Sequence, residues 1–159
     1  MAKAVQGLQM ADLDGDFVVF LIGTTPDLRH PIRWFQDVGG RRGMNHMLKY
    51  LTEHPERGLL AYEMSFPVIV QYWRSFDHLE AFARDDKDPH AAAWRNYWKR
   101  VGKDNRSGIW HETFLVRAGE YEAVYANNAR RGLAKAGRLV PASKDSRARL
   151  RLKRNAAAQ

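Results

Sequence analysis

Two β-rich runs stand almost end to end in the stretch GLLAYEMSFPVIVQYWRSF, residues 58–76. They cover residues 59–66 and 68–74, and only Pro67 separates them. A connection this short cannot hold a crossover, so the runs are predicted to pair as an antiparallel hairpin, bent or bulged at the proline. The rest of the chain must be arranged around this hairpin.

Before the hairpin, the sequence predicts one strand and a helical region. The run DFVVFLIGTTP is typical of a buried strand, which we place at residues 17–23. Pro31 suits the first turn of a helix, and apolar residues then recur at helical spacing on both sides of Gly39 and Gly40. This pattern indicates one long helix with a glycine break, or two helices in series, ending at Pro55.

A second helical region follows the hairpin and is interrupted by the polar segment RDDKDPH. Ser75 or Asp77 can cap its first part. The apolar positions of that part that we expect to face the sheet are Phe76, Leu79 and Phe82. The second part carries an apolar stripe with spacing i, i+3, i+4 and i+7, formed by Trp94, Tyr97, Trp98 and Val101.

The run IWHETFLV then alternates between two faces, as a half-buried strand does. A short strand at residues 121–126 and a short helix at residues 129–136 are predicted after it. The order is β-α-β-β-α-β plus an extra C-terminal strand, which is the split βαβ, ferredoxin-like arrangement of the α+β class. We place this domain at residues 16–141, after an N-terminal arm at residues 1–15.

Helices cover only one face of such a sheet, and the sequence offers no further large element for the other face. An uncovered apolar face would be a large exposed patch on a monomer. We therefore expect a homodimer in which two sheets pack against each other about a two-fold axis.

The net charge of +8 is concentrated near the C-terminus. Residues 1–128 hold 16 Lys and Arg against 17 Asp and Glu, whereas residues 129–159 hold 10 against 1. Residues 142–159 are therefore predicted to be a basic and mobile tail. The tail either serves solubility or binds polyanions weakly through non-specific attraction.

Several classes of protein are excluded or disfavoured by what the sequence lacks. With no cysteine, the chain has no disulfide, no thiolate nucleophile and no Cys-based metal site. It has no Gly-rich dinucleotide or phosphate loop, no nucleophile turn and no metal-ligand spacing on one element. No run approaches about 18 apolar residues and no signal-peptide layout is present, so we expect a cytoplasmic protein without a membrane span.

Three segments carry a resemblance to a known family: VQYWRSFDHLEAFAR, DPHAAAWRNYWKRVG and GIWHETFLVRAGEYEAVYAN. They resemble the signatures of the monooxygenase-family proteins of domain of unknown function 4188, in the dimeric α+β barrel superfamily. The resemblance covers roughly residues 16–141. It implies a dimeric α+β barrel whose relatives include cofactor-free monooxygenases of quinol-like aromatics, haem-degrading enzymes and haem-containing aldoxime dehydratases.

His111, in the middle of the last core strand, is the first candidate catalytic residue. By alternation it shares one face with Ile109, Thr113 and Leu115. An imidazole in such surroundings can accept a proton or bind haem iron, or it is a core or interface histidine bonded to backbone. We favour the orientation in which this face meets the helices, because Glu112 then points away from the core.

His90, at the start of the helix that carries Trp94, is the second candidate base. The positive end of a helix would favour its neutral form, although it could equally be a surface capping residue. Arg95 could hold an anionic oxygen, or it is an ordinary exposed cation. An aromatic cavity with a few polar tips suits a flat, hydrophobic substrate. The candidate substrate-binding residues are Tyr62, Trp73, Trp94, Arg95, Tyr125 and Asn127.

These observations leave three hypotheses for the function. The preferred one is a monooxygenase-like oxidoreductase that acts on a small hydrophobic or aromatic compound, without a dedicated nucleotide cofactor and without a metal. The second is a haem-dependent lyase resembling the aldoxime dehydratases, with His111 on the iron. The third is a barrel that binds a small molecule without turnover, in which the aromatic residues simply build the core.

Overall fold

The computed structural model describes residues 4–102, 107–142, 147–149 and 151–152. The strands in this part of the chain are β1 (Val5–Asp12), β2 (Phe17–Thr25), β3 (Leu59–Ser65), β4 (Val68–Trp73), β5 (Gly108–Val116), β6 (Val124–Asn128) and β7 (Arg138–Pro141). The α-helices are α1 (Pro31–Asp37), α2 (Met44–Glu53), α3 (Phe76–Arg84) and α4 (Pro89–Val101). Short 3₁₀ helices occur at Gly40–Arg42, Pro55–Arg57 and Gly132–Lys135.

The predicted ferredoxin-like α+β arrangement is confirmed. Strands β3, β4, β2 and β5 form an antiparallel sheet in that order. Because β2 and β3 both run antiparallel to β4, they are parallel to each other, and α1 and α2 connect them over β4. In the same way, α3 and α4 connect β4 to β5 over β2. Both helical connections lie on one face of the sheet, as right-handed crossovers require.

The predicted hairpin is present as β3 and β4, with a cis peptide bond between Phe66 and Pro67 in its turn. The expected irregularity is not at the proline, however. The pairing register shifts between Leu59 and Ala61, at the other end of β3.

The first helical region is divided in the way that its glycines suggested. Gly39 has φ of 96°, in the left-handed region, and a Cβ atom there would lie 2.7 Å from the Cα of Gly43. Any other residue would be strained at this position, so α1 ends before it and α2 begins after Gly43. The alternative of two helices in series is the correct one.

The second helical region begins where the sequence indicated, but it buries fewer aromatic residues than the sequence pattern predicted. Ser75 is the N-cap of α3, and its hydroxyl accepts a hydrogen bond from the backbone of His78 at 3.3 Å. Phe76 directly follows the cap and is 45% exposed, so the prediction that it faces the sheet is wrong. On α4, Tyr97 and Val101 are buried, whereas Trp94 and Trp98 remain 43% and 52% exposed.

The main core lies between the four-stranded sheet and the helices. Trp73 at its centre is completely buried and has its ring centroid 5.7 Å from that of Phe82 on α3. The other buried members of this core are Val18, Met47, Leu48, Leu51, Leu59 and Leu79. These residues identify the helix-facing side of β2, β3 and β4, since side chains alternate along a strand.

A second sheet, in the order β6-β1-β7, covers part of the opposite face. The extra strand therefore does not extend the main sheet as expected, but pairs with β1. Strand β1 comes from residues that we expected to be an arm, so the prediction of an N-terminal arm without a strand is wrong. A second core joins the two sheets, formed by Ala11, Leu13, Phe17, Tyr121, Leu133 and Ala134.

The C-terminal region includes one packed contact. Arg151 is 7% exposed, and its Nε lies 2.5 Å from a carboxylate oxygen of Glu122. Most of the expected tail, residues 143–146, 150 and 153–159, lies outside the described residues. None of the helices described here has the length and apolar character that crossing a membrane would require.

Candidate functional site

The register of β5 against β2 decides which way His111 points. His111 is paired with Ile22 and Thr113 with Phe20, while Val18, on the same side of β2, belongs to the core under the helices. Directly paired side chains point to the same face of a sheet. His111 and Thr113 therefore face the helices, which is the orientation that we favoured.

His111 lies on an open part of this face. Strand β5 is an edge strand, and the two helical connections cross over β4 and β2. The helix-facing side of β5 is therefore only partly covered. The His111 ring is exposed, and its centroid is 5.4 Å from that of Phe20 with a tilt of 32°. We call the surface formed by Phe20, Ile22, His111 and Thr113 the β5 shelf. It combines apolar area with one imidazole and one hydroxyl.

Gln71, which the sequence analysis missed, is the neighbour of Phe20 on β4. Its side chain is on the helix-facing side and is only 3% exposed. The amide oxygen accepts a hydrogen bond from Nε1 of Trp73 at 2.9 Å, and the amide nitrogen donates to Sδ of Met44 at 3.6 Å. Sulfur is a weak acceptor, so this buried amide has one strong partner and one weak one. The signal in the sequence was a single polar residue at an inward position of VIVQYW.

Helix α4 is fixed to the beginning of β5. The Tyr97 hydroxyl donates to the carbonyl oxygen of Ser107 at 2.6 Å, and burial raises the pKa of this tyrosine. The Ser107 hydroxyl in turn donates to Asp37 at 2.9 Å. Trp94 stacks on Tyr97 with 5.5 Å between ring centroids, and Trp98 meets Trp94 edge-on at 5.6 Å. The aromatic side chains of α4 are thus held in one cluster.

His90 and Arg95 have other partners among the described residues. Nδ1 of His90 donates to the carbonyl oxygen of Ala83 at 3.0 Å, which fixes the ring at the junction of α3 and α4. Arg95 binds Asp86 at 3.0 Å and is well exposed. No described contact joins either residue to the β5 shelf.

Tyr125 and Asn127 lie on the other side of the main sheet. Both belong to β6, in the second sheet. The Tyr125 hydroxyl accepts a hydrogen bond from the backbone of Ala134, and Oδ1 of Asn127 accepts one from the backbone of Gly7 at 2.8 Å. The structure therefore does not bring these two candidates together with His111.

Tyr62 and Trp73 do share the helix-facing side with His111, but at a distance from it. Tyr62 is on β3, the opposite edge strand, so three strand spacings, about 14 Å, separate it from β5. It lines a separate groove of about 350 Å³ between α2 and β3. Trp73 is completely buried in the main core, so none of its surface is accessible to a substrate.

A charged cluster holds the 3₁₀ helix Gly132–Lys135 against the back of β3. Glu63 accepts hydrogen bonds from Arg131 at 2.9 Å and from the backbone of Gly132 at 3.1 Å, and Nζ of Lys135 lies 2.8 Å away. Burial alone would raise the pKa of Glu63, but these cationic and N–H donors outweigh it and lower the pKa to about 2. The cluster is ionised at neutral pH and stabilises the second core.

Metal-binding geometry is not found in the described part of the chain, where no three His, Asp or Glu side chains are grouped to hold an ion. The β5 shelf offers one imidazole, which fits an axial position on haem iron but not a multidentate metal site. The arrangement can accept a proton beside an apolar, aromatic surface.

Comparison with known proteins supports the resemblance found in the sequence. Residues 17–133 match the family described as Monooxygenase af470-like. Among solved structures, the chain is similar to a crystal structure of an aldoxime dehydratase in complex with butyraldoxime, with a TM-score of 0.60 and 15% sequence identity. That similarity covers 86% of this chain and 40% of the dehydratase, and at this identity it shows the fold alone. No curated protein matches the sequence.

Proposed function

We propose that this chain, which belongs to the Monooxygenase af470-like family, is an oxygen-dependent monooxygenase of a small hydrophobic, aromatic compound. The observation that carries the proposal is the position of His111. Its exposed imidazole stands beside the Phe20 ring on the helix-facing side of the sheet. A flat substrate that lies on the β5 shelf would place an acidic O–H or C–H group within reach of this base.

The chain's own residues account for binding and proton removal. Phe20 and Ile22 supply apolar contact area, and the Thr113 hydroxyl can orient a polar substituent. His111 takes a proton from the substrate, and the resulting anion is the electron donor to O₂. One oxygen atom replaces two hydrogens of an activated CH₂ group, and the second oxygen leaves with those hydrogens as water. The substrate supplies all the electrons, so this reaction needs no nucleotide cofactor.

Oxygen consumption with anthrone, an aromatic ketone with an activated CH₂ group, tests the proposal. We expect His111→Asn to lower the rate by about 10²-fold or more, because a positioned general base contributes that much. His46 is an exposed histidine on α2, and His46→Asn should leave the rate unchanged. If His111→Asn keeps full activity while His90→Asn loses it, His90 is the base instead. Failure of the wild type to consume oxygen with anthrone and with other aromatic ketones that have an activated CH₂ group would reject the reaction class.

A haem-dependent lyase is the second candidate, favoured by the fold similarity to an aldoxime dehydratase and by the exposed imidazole of His111. When bound, haem would supply the Lewis-acidic iron for dehydration of an oxime. His111 would hold the iron, and Phe20 would pack against the porphyrin. Titration with haem should then produce a Soret band that His111→Ala abolishes and His46→Ala retains. A wild-type chain without that band, or one whose band survives His111→Ala, argues against this candidate. Tight binding of an apolar ligand without any turnover would instead indicate a binding barrel.

We also propose that the protein forms a homodimer through the back of β5, beside the part of β2 that the second core covers. Trp110 and Phe114 are on that face and remain 38% and 49% exposed. The Trp110 indole lies over Gly23, which leaves room for it because glycine has no side chain. Light scattering on the wild type and on Phe114→Glu provides the test, since a dimer should dissociate when two carboxylates are buried. A cytoplasmic location and weak polyanion binding through the basic tail remain part of the proposal.

A further inference from the structure

One end of the β5 shelf lies at the paired residues Thr24 and Ile109. Each is two positions from a residue of the shelf, Thr24 from Ile22 and Ile109 from His111. Because side chains alternate along a strand, both are on the helix-facing side as well. Ile109 is half-buried, whereas His111 is exposed. The face is therefore more covered at this end than in the middle of the shelf.

Trp34 of α1 is the side chain that lies against Thr24. Its Nε1 donates to the Thr24 hydroxyl at 3.1 Å, and that hydroxyl donates to the carbonyl oxygen of Gly108 at 2.9 Å. Both donor protons are engaged within the protein. What Trp34 presents to a ligand at this end of the shelf is therefore apolar ring surface.

The tip of the β3–β4 hairpin also holds Trp34. The Phe66 ring meets the indole edge-on, with 5.7 Å between ring centroids. The tip is itself tied to β2, since the backbone N–H of Thr24 donates to the carbonyl oxygen of Pro67 at 3.2 Å. Trp34 is only partly buried. It is therefore a fixed ring that keeps accessible surface.

The opposite end of the shelf differs between its two strands. Val18 on β2 is 2% exposed under the helices, while Leu115, its partner on β5, is 71% exposed. A ligand on the shelf can therefore extend along β5 beyond Thr113. The end at Trp34 has no comparable opening on β5, where Ile109 is half-buried.

We infer that Trp34 is a specificity-determining residue, which limits how far an aromatic substrate extends beyond the carbon that reacts. The inference rests on the proposed function, with the substrate lying along the strands and its CH₂ group beside His111. Thr24 is two residues from Ile22, the partner of His111, so the indole stands about 7 Å from His111 along the strands. Ring carbons pack at about 3.5–4.0 Å from the indole, which leaves about 3–4 Å for the substrate. This is enough for one fused ring on that side and too little for two.

Three ketones with an activated CH₂ group differ in the way that the inference requires. Anthrone has one fused ring on each side of the reacting ring, pentacenone has two on each side, and tetracenone has one on one side and two on the other. The wild type should oxidise anthrone, and also tetracenone with its single ring toward Trp34. Its kcat/KM for pentacenone should be at least about tenfold lower, as a misfit in an apolar pocket costs that much.

Variants of α1 test whether Trp34 sets this limit. Trp34→Ala should raise kcat/KM for pentacenone at least about tenfold without a comparable change for anthrone. Trp34→Phe keeps a ring at this position and should keep most of the discrimination. Phe35→Ala changes the next residue of the helix, which is 46% exposed, and should leave the ratio as in the wild type. If Trp34 had only a structural role, Trp34→Ala would lower both rates and keep their ratio, which would overturn the inference.

Binding of the product quinones makes the test independent of turnover. Anthraquinone and pentacenequinone have the same rings as the two symmetric ketones, and quenching of the protein's fluorescence measures their affinity. Trp34→Ala should bind pentacenequinone at least about tenfold more tightly than the wild type does, and anthraquinone equally well. If no ketone consumes oxygen but this selective gain is found, the proposed function fails and the limit set by Trp34 is supported. An equal gain for both quinones, no gain, or no binding of anthraquinone by the wild type contradicts the inference.

Discussion

Replacement of Gly23 by alanine should destabilise the fold through one neighbour, the Trp110 side chain. A Cβ atom at position 23 would lie 2.4 Å from Cζ2 and 2.5 Å from Cε2 of the indole, far inside van der Waals contact. Alanine is otherwise at least as suitable as glycine in a strand, since it loses less conformational entropy on folding. The cost therefore arises from moving the indole.

The magnitude follows from the area that the indole buries. Trp110 is 38% exposed, so it buries a little under two thirds of its surface. A tryptophan buries about 150–250 Å² when it is packed, which gives roughly 100–150 Å² here and about 2.5–4 kcal/mol at 25 cal/mol per Å². Because the displaced ring will keep some contacts, we expect Gly23→Ala to lower the free energy of unfolding by about 1–3 kcal/mol.

A double-mutant cycle with urea unfolding isolates this effect. In the Trp110→Ala background the indole is absent, so Gly23→Ala should cost nothing or stabilise the strand slightly. An equal loss of stability in both backgrounds would show that the glycine is required by the backbone and not by the indole, and the reasoning would fail.

Further predictions concern other contacts. The folded-state pKa of Glu63, about 2, is below its ordinary value. The contribution of Glu63 to stability is therefore complete above about pH 4.5 and is lost as the pH falls toward 2. In urea unfolding, the wild type should lose more stability between pH 5 and pH 3 than the variant Glu63→Gln. Arg151→Ala should lower the free energy of unfolding by about 1–2 kcal/mol, since it leaves Glu122 without this partner, and a thermal melt that matches the wild type would support a dispensable tail. Gln71→Leu should cost about 1–3 kcal/mol in urea unfolding because it leaves the buried N–H of Trp73 without an acceptor, and a stability equal to that of the wild type would contradict this account.

The elements that could be predicted from the sequence are those defined by local patterns. The hairpin is recognised because its two strands are almost contiguous, and the helices are recognised by their spacing and by the cap at Ser75. Strand β1 could not be predicted in this way. Its register pairs Val5 with Asn128, more than 120 positions away, and both Met10 and Ala11 are buried although they point to opposite faces. The first four residues of β1 are exposed on both faces and the next buried residues are consecutive, so its burial shows no alternation for a local pattern to detect.

The difference between local patterns and long-range strand pairing also explains the errors at the candidate site. Alternation along β5 is a local pattern, and it correctly predicts which side chains share a face with His111. The register with β2 is needed to decide whether that face meets the helices. Tyr125 and Asn127 were grouped with His111 because their strand follows β5 closely in the sequence. Their neighbour in the structure is β1, where Tyr125 packs against the second core and Asn127 accepts a hydrogen bond from the backbone of Gly7.

The position of β5 in the main sheet has a chemical consequence for the β5 shelf. Because β5 is the edge strand beside β2, the imidazole of His111 is both ordered and accessible on the helix-facing side. It is ordered by the pairing of His111 with Ile22 and by the Phe20 ring, and it remains exposed. A base fixed on a strand is held more precisely than one on a loop. The catalytic role that we propose for His111 therefore depends on its position in the sheet as well as on residue type. His90, with its Nδ1 bound to Ala83 between two helices, is the weaker candidate for this reason.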